Sequence, residues 1–298
     1  GGAGGAGDAA GAEVSAVDLR RLALAFGRAH AFDSELMEAL VPRISECAAA
    51  FRPKELVSIA DAYARMPVPS EELFGLVADA LPPYLYDLEP PDLARLCRAF
   101  AEAGVYSVEF FDGLCAEARQ RLRTFGASEC LIFLEGLAHI HERLPEELRR
   151  DDAATVEQVA DRLAAALGSL SANEIVRAFR ALVSLDHYDR RLVHRKICPA
   201  LAARLGELKG TSTFSDLASL LRCLGRLPAQ SHGSAELALA AAAALRGTLP
   251  PVGDSPHRGG WRLPDLPALT TAVEALAELG SEDEELFAAL GEAVTQGR

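Results

Sequence analysis

The sequence predicts an all-α fold, a right-handed α-solenoid of about seven stacked helix–turn–helix repeats. Composition is the first observation behind this reading. Half of the 298 residues are hydrophobic, but only 6% are aromatic. Much of the apolar content is Ala and Leu, the strongest apolar helix formers, and β-branched and aromatic residues are too sparse for a large sheet. The second observation is periodicity, with apolar residues returning at helical intervals. The third is a segment that recurs along the chain, the mark of an array rather than of one central core.

The elements follow in order. Residues 1–16 are Gly/Ala-rich, and their Gly1 to Gly11 tract carries one charge, Asp8. They are expected to be disordered, either as the trailing part of a leader or as an ordinary flexible N-terminus. Residues 17–246 hold about six repeats. The stretches DLRRLALAFGRAHAFDSELM from Asp18, ELVSIADAYARMPVPSEELF from Glu55 and DLARLCRAFAEAGVYSVEFF from Asp92 align on Leu19, Leu56 and Leu93, a period of 37. A fourth unit starts at Cys130, and later units begin near Ile175, Leu217 and Leu269 at spacings of 45, 42 and 52.

Within a unit the lead residue is followed three and seven positions on by further apolar side chains. These are Leu22 and Phe26, Ile59 and Tyr63, Leu96 and Phe100, and Phe133 and Leu137. Such offsets fall on one helical face. Pro67 and Pro69, or Gly104, then break the helix. A second helix opens on a bulky pair: Leu36 with Met37, Leu73 with Phe74, Phe110 with Phe111, and Leu286 with Phe287. Ser128, and Ser171 with Asn173 and Glu174, suit helix N-termini. The surplus residues are expected in loops, from Leu144 to Thr155, from Ala229 to Ser234, and over 247–264, a Pro- and Gly-rich irregular loop. Residues 265–298 are expected to form a terminal acidic helical repeat.

The 34- and 33-residue landmarks of tetratricopeptide and ankyrin repeats are absent. Units of 37 residues patterned as in ELVSIADAYARM and DLARLCRAFAEAGV instead resemble the heptatricopeptide and octotricopeptide repeats of organellar RNA-binding proteins, which are often joined to a RAP domain. The resemblance covers Val17 to Phe125 well and the remainder loosely. It implies a mitochondrial protein, with the plastid as second choice. Such a protein contacts organellar rRNA or mRNA and neighbouring protein subunits, in a mitochondrial ribosome or in RNA maturation. No RAP-like domain follows the last repeat in this sequence, so RNA cleavage housed in such a domain is not expected of it.

Charge tests that implication. Formal net charge is −13, whereas an RNA-binding surface displaces counterions with a basic face. The charge is segregated, however. Asn173 to Arg226 carries ten basic and five acidic residues, and Asp265 to Arg298 carries eight acidic and one basic. The RNA-phosphate contact candidates are therefore Arg177, Arg180, Arg190, Arg191, His194, Arg195 and Lys196, since guanidinium forks match phosphate oxygens. A solvated basic helix face is the competing reading. Candidates for docking a protein partner are Trp261 in the long loop and the acidic run Glu282, Asp283, Glu284 and Glu285. A second basic stripe, Arg119, Arg121 and Arg123, is diluted by Glu117.

Motifs for phosphate-binding loops, nucleophile elbows and zinc proteases are absent. His139 and His141 stand two apart on a predicted helix, pointing to nearly opposite sides, and so are poorly placed to share a metal. Cys47, Cys97, Cys115, Cys130, Cys198 and Cys223 sit singly in apolar patterns, as buried core residues do. The most apolar run, Leu237 to Leu245, is far shorter than the roughly 20 residues of a bilayer span. No catalytic, cofactor or metal site is expected. The expected function is binding, to RNA and protein partners in an organellar ribonucleoprotein. The alternative is a pure protein–protein scaffold or accessory subunit of a large organellar complex.

Overall fold

The computed structural model describes residues 14–29, 33–67, 69–143, 153–208, 213–228, 231–249 and 265–296, and among them every regular element is helical. None of these helices is long and apolar enough to cross a membrane. The chain divides into two compact units, Gly1–Glu117 and Ala118–Arg298. Residues 1–13 of the expected disordered segment lie outside the described residues, and Ala16 already begins the first helix.

The first unit pairs α1 (Ala16–Ala29) with α2 (Ser34–Glu46), α3 (Pro53–Tyr63) with α4 (Glu71–Ala80), and α5 (Pro90–Ala103) with α6 (Val108–Arg121). Leading helices pack in succession, α1 on α3 and α3 on α5, while α2 packs on α4. The expected stripe is the buried one in the second and third pairs: Leu56, Ile59 and Tyr63, then Leu93, Leu96 and Phe100. The Phe100 ring stacks on Phe110 at 4.4 Å between centroids and meets Phe74 edge-on at 5.0 Å. Each such aromatic burial contributes on the order of 1.5–3 kcal/mol.

The first pair departs from expectation. Leu22 is 38% exposed and Phe26 only half-buried, and the buried face runs instead through Leu19, Ala23 and Gly27. The physical reason is that α1 packs on α3 but has no helix before it among the described residues. Gly27 lets the two backbones approach closely, since a Cβ there would lie 2.8 Å from the Ala62 Cβ and 3.0 Å from its Cα.

The second unit pairs α7 (Ala127–Arg143) with α8 (Ala153–Ala166). Next, α9 (Ala172–Ser184) precedes a composite helix made of α10 (Arg190–Leu192), a π-helical turn (Val193–Ile197) and α11 (Cys198–Arg204). Then come α12 (Thr213–Gly225) with α13 (His232–Arg246), and α14 (Leu266–Glu278) with α15 (Glu284–Gln296). Again the leading helices pack in succession, α7 on α9, α9 on α12 and α12 on α14, and α11 packs on α13.

Two loop expectations are corrected. Ala153 to Thr155 are helical, with Thr155 buried, because Val156, Val159 and Leu163 continue a buried helical stripe. His232 to Ser234 are also helical, because Ser231 caps α13 by accepting from the Ser234 amide. Residues 144–152, 229–230 and 250–264 of the expected loops lie outside the described residues. Ser171 is the N-cap of α9, forming a capping box with Glu174, whereas Ser128 lies within the first turn of α7.

Two local devices recur. Second helices run into short 3-10 turns, Ala48–Ala50, Pro82–Asp87, Leu122–Thr124, Leu167–Ser169 and Leu205–Glu207, each followed at once by a buried apolar residue: Phe51, Leu88, Phe125, Leu170 and Leu208. Leading helices α5, α9 and α14 end alike, with left-handed backbone at Gly104, Asp186 and Gly280. The next amides, of Val105, His187 and Ser281, donate back to Phe100, Leu182 and Leu276 carbonyls. This six-to-one closure satisfies carbonyls that a helix end would otherwise leave bare.

Candidate nucleic-acid interface

The basic residues expected to contact phosphate fall into two groups once folded, and the fold adds a third. Along α9, Asn173, Arg177, Arg180 and Ser184 share one face at helical spacing. Three of the four reach a neighbouring leading helix. Arg177 forks onto Glu135 of α7, Nε to Oε1 at 2.7 Å and Nη2 to Oε2 at 2.5 Å. That carboxylate holds the Arg177 pKa above its ordinary value, so its charge is already compensated. Ser184 donates to Glu142 at 2.6 Å, and Asn173 donates to Asp216 of α12 at 2.5 Å. The side chain of Arg180, three residues from Arg177, takes part in no hydrogen bond or ion pair among the described residues.

The second group is the composite helix. Asp189 caps it, accepting from the Arg191 amide at 2.7 Å. Arg190, Arg191, Arg195 and Lys196 are exposed. The π turn has an identifiable cause at its C-terminal end. Pro199 has no N–H to give the Arg195 carbonyl and would crowd it in a regular α-helix, and the Cys198 amide reaches back five residues to the Val193 carbonyl instead. Inside this turn His194 is half-buried with both ring nitrogens engaged, Nε2 with Tyr188 Oη at 2.8 Å and Nδ1 with Ser231 Oγ at 2.9 Å. His194 ties the turn to the start of α13, and the four cations around it project outward.

The third group was not singled out from the sequence. Ser215, Ser219, Arg222 and Arg226 follow one another at helical spacing from α12 to the residue past its end. With Arg180, Ser184, Cys223, Glu142 and Thr271 they line a cavity of about 310 Å³ at the leading helices of the second unit. Asp265, Pro267 and Ala268 complete its wall at α14. The side chains of Arg222 and Arg226, like that of Arg180, have no hydrogen-bond or ion-pair partner among the described residues. Burial pushes the Cys223 thiol up to about 12, while Arg180, Arg226 and Arg222 all pull in the opposite direction. The thiol therefore stays protonated at neutral pH and offers no nucleophile. None of the cations of the composite helix lines this cavity. Arg204, which also lies in the basic stretch, is spent on structure: its guanidinium donates to the Leu170 carbonyl at 2.6 Å and the Gly168 carbonyl at 3.3 Å.

The acidic docking candidates lie at the start of α15. Asp283 accepts from the Leu286 amide at 3.0 Å, and Glu284 and Glu285 occupy the first turn, where carboxylates complement the helix dipole. Arg246 of α13 pairs with Glu285 and approaches Asp283 at 3.9 Å. Glu282 is exposed, and Trp261 lies outside the described residues. His139 is exposed, whereas His141 is half-buried, with Nε2 3.9 Å from Asp186. Five cysteines are buried and Cys47 is half-buried. No known family model matches the chain, and no curated protein is similar to it.

Proposed function

We propose that this chain is a non-catalytic helical-repeat component of an organellar ribonucleoprotein, mitochondrial before plastid, that binds RNA and neighbouring proteins. In this reading the helix pairs form a right-handed α-solenoid, in which each pair shields the apolar flank of the next. The observation that carries the reading is uncompensated positive charge gathered in one part of an acidic chain. Arg190, Arg191, Arg195 and Lys196 project from the composite helix, and the side chains of Arg180, Arg222 and Arg226 form no hydrogen bond or ion pair among the described residues. The resemblance of the 37-residue units to organellar RNA-binding repeats points the same way.

Filter binding of single-stranded RNA across a salt series tests it. Affinity should fall steeply with salt, with a log–log slope of roughly −0.7 per phosphate neutralised. Replacing Arg190, Arg191, Arg195 and Lys196 by Ala should flatten that slope by up to about three units and weaken low-salt binding by roughly tenfold or more. Undetectable RNA binding at low salt would refute the reading. A second reading, a pure protein–protein scaffold, draws on the net charge of −13 and the acidic C-terminal stretch, because nucleic acid repels such a surface. Under that reading the purified chain would hold protein partners through 265–298 and bind no RNA.

A further inference from the structure

We propose that the cavity between α9, α12 and α14 is a binding site for a phosphate monoester carried on a hydroxyl-bearing sugar, with Arg180, Arg222 and Arg226 on the phosphate. The proposal rests on the RNA reading and deepens it by giving one solvent-open cleft a ligand chemistry distinct from that of the basic helix. Three features of the wall support it.

The first is charge without a partner. Several arginines of the second unit are occupied: Arg177 by Glu135, Arg162 by the Phe125 carbonyl, Arg204 by the Leu170 carbonyl, and Arg246 by Glu285. The side chains of Arg180, Arg222 and Arg226 have no such partner among the described residues, and unlike the exposed cations of the composite helix all three border one cavity. Unpaired guanidinium groups beside one cleft are suited to forked hydrogen bonds to phosphate oxygens. The second is a lining of hydroxyls: Ser184, Ser215, Ser219 and Thr271. Ser215 and Ser219 can donate to phosphate oxygens or accept from a sugar, and Thr271 and Ser184, whose proton goes to Glu142, can accept from one. The third is the pair of carboxylates on the wall, Glu142 and Asp265. A bare inorganic anion gains nothing from them. A sugar does, since its hydroxyls donate to carboxylate oxygens. Glu142 already accepts from Ser184, and Asp265 from the Ala268 amide, which orients both groups. A volume of about 310 Å³ exceeds what a phosphate ion alone would occupy and falls at the small end of ligand pockets.

The same chemistry has two sources, a free mononucleotide and the 5′-phosphorylated end of an RNA chain. Fluorescence anisotropy with the full chain separates them, using a 5′-phosphorylated and a 5′-hydroxyl oligoribonucleotide of identical sequence and competition by adenosine 5′-monophosphate or inorganic phosphate. If the source is an RNA end, the 5′-phosphate raises affinity about tenfold, as expected for one charge-assisted cluster. Arg222→Ala and Arg180→Ala erase that difference, so that within each variant the two strands bind alike, whatever loss both share. If the source is a free mononucleotide, adenosine 5′-monophosphate binds directly, better than inorganic phosphate, and loses about tenfold in the same variants. Either pattern weakens as pH falls through about 6, where the monoester loses its second charge. Equal affinity for the two strands together with no mononucleotide binding overturns the cavity assignment, and RNA binding through the composite helix then still stands. Mononucleotide binding without RNA binding keeps the cavity and removes the RNA reading. Because the strand comparison uses the wild-type chain, it holds whether or not a variant folds.

Discussion

Arg204 offers the sharpest test of how neighbouring helix pairs are fastened. Its guanidinium leaves the end of α11 and donates to two carbonyls of the preceding junction, Leu170 at 2.6 Å and Gly168 at 3.3 Å. That junction is a 3-10 turn followed by a buried leucine, so its carbonyls lack the partners a helix interior supplies. Arg204→Ala removes a short charge-assisted bond of about 1.5–3 kcal/mol. The second bond is long, and the half-buried site lets water recover part of the loss, which places the expected net cost near 2 kcal/mol. Arg246 provides an internal control at the next repeat. It also holds a neighbouring pair, but through Glu285, and the side chains are 49% and 73% exposed. Exposed pairs are worth at most about 1 kcal/mol. Urea denaturation followed by circular dichroism should therefore show Arg204→Ala shifting stability at least twice as far as Arg246→Ala, with Arg204→Lys between them. Equal, small shifts for both alanine variants would refute the claim that carbonyl capping fastens the junction.

Other perturbations read other parts of the fold. Phe100→Ala should cost about 3–5 kcal/mol by denaturation, since it empties the centre of a cluster with Phe74, Phe110 and Phe111. Burial pushes the Cys130 and Cys198 thiols up to about 11, so alkylation of the native chain at mildly alkaline pH should modify half-buried Cys47 first. Mass spectrometry of the tryptic peptides should find the other five slow until denaturant is added. Backbone amides of Arg52 and Ser171 lower the Glu55 and Glu174 pKa values below the ordinary 4.5. Their stabilisation is complete above that ordinary value and is lost as pH falls through the lowered folded values. Glu174→Gln should therefore flatten the acid limb of the stability curve, measured as melting temperature between about pH 5 and pH 3.

Much of the helical layout was legible because it rests on periodicity. Leu56, Ile59 and Tyr63 announce a face by spacing alone, and packing on both sides buries it. The first repeat has the same spacing, yet Leu22 stays exposed because burial depends on a neighbour that spacing does not encode. The junctions were illegible for a different reason. Phe51, Leu88, Phe125, Leu170 and Leu208 each stand alone after a 3-10 turn, and one apolar residue carries no period. Asp186 hid its role as well: it takes the left-handed position that Gly104 and Gly280 hold in other repeats, with φ of 53°, and Asp is among the few side chains that tolerate it.

The candidate site shows what a count of charges leaves out. Arg177 and Arg180 stand three residues apart on one helix face and look equivalent in the sequence. Folding sets one against Glu135, 42 residues away, and gives the other no partner among the described residues. Arg222 lies on a different helix and Arg226 just past its end, and the packing of α12 on α9 brings them to the cavity that Arg180 also lines. Local net charge therefore marks only where a polyanion would be drawn in, through the long-range field. Which cations remain to grip it is settled by the carboxylates and carbonyls that neighbouring helices present, and an arginine already forked onto a carboxylate has little left to offer a phosphate.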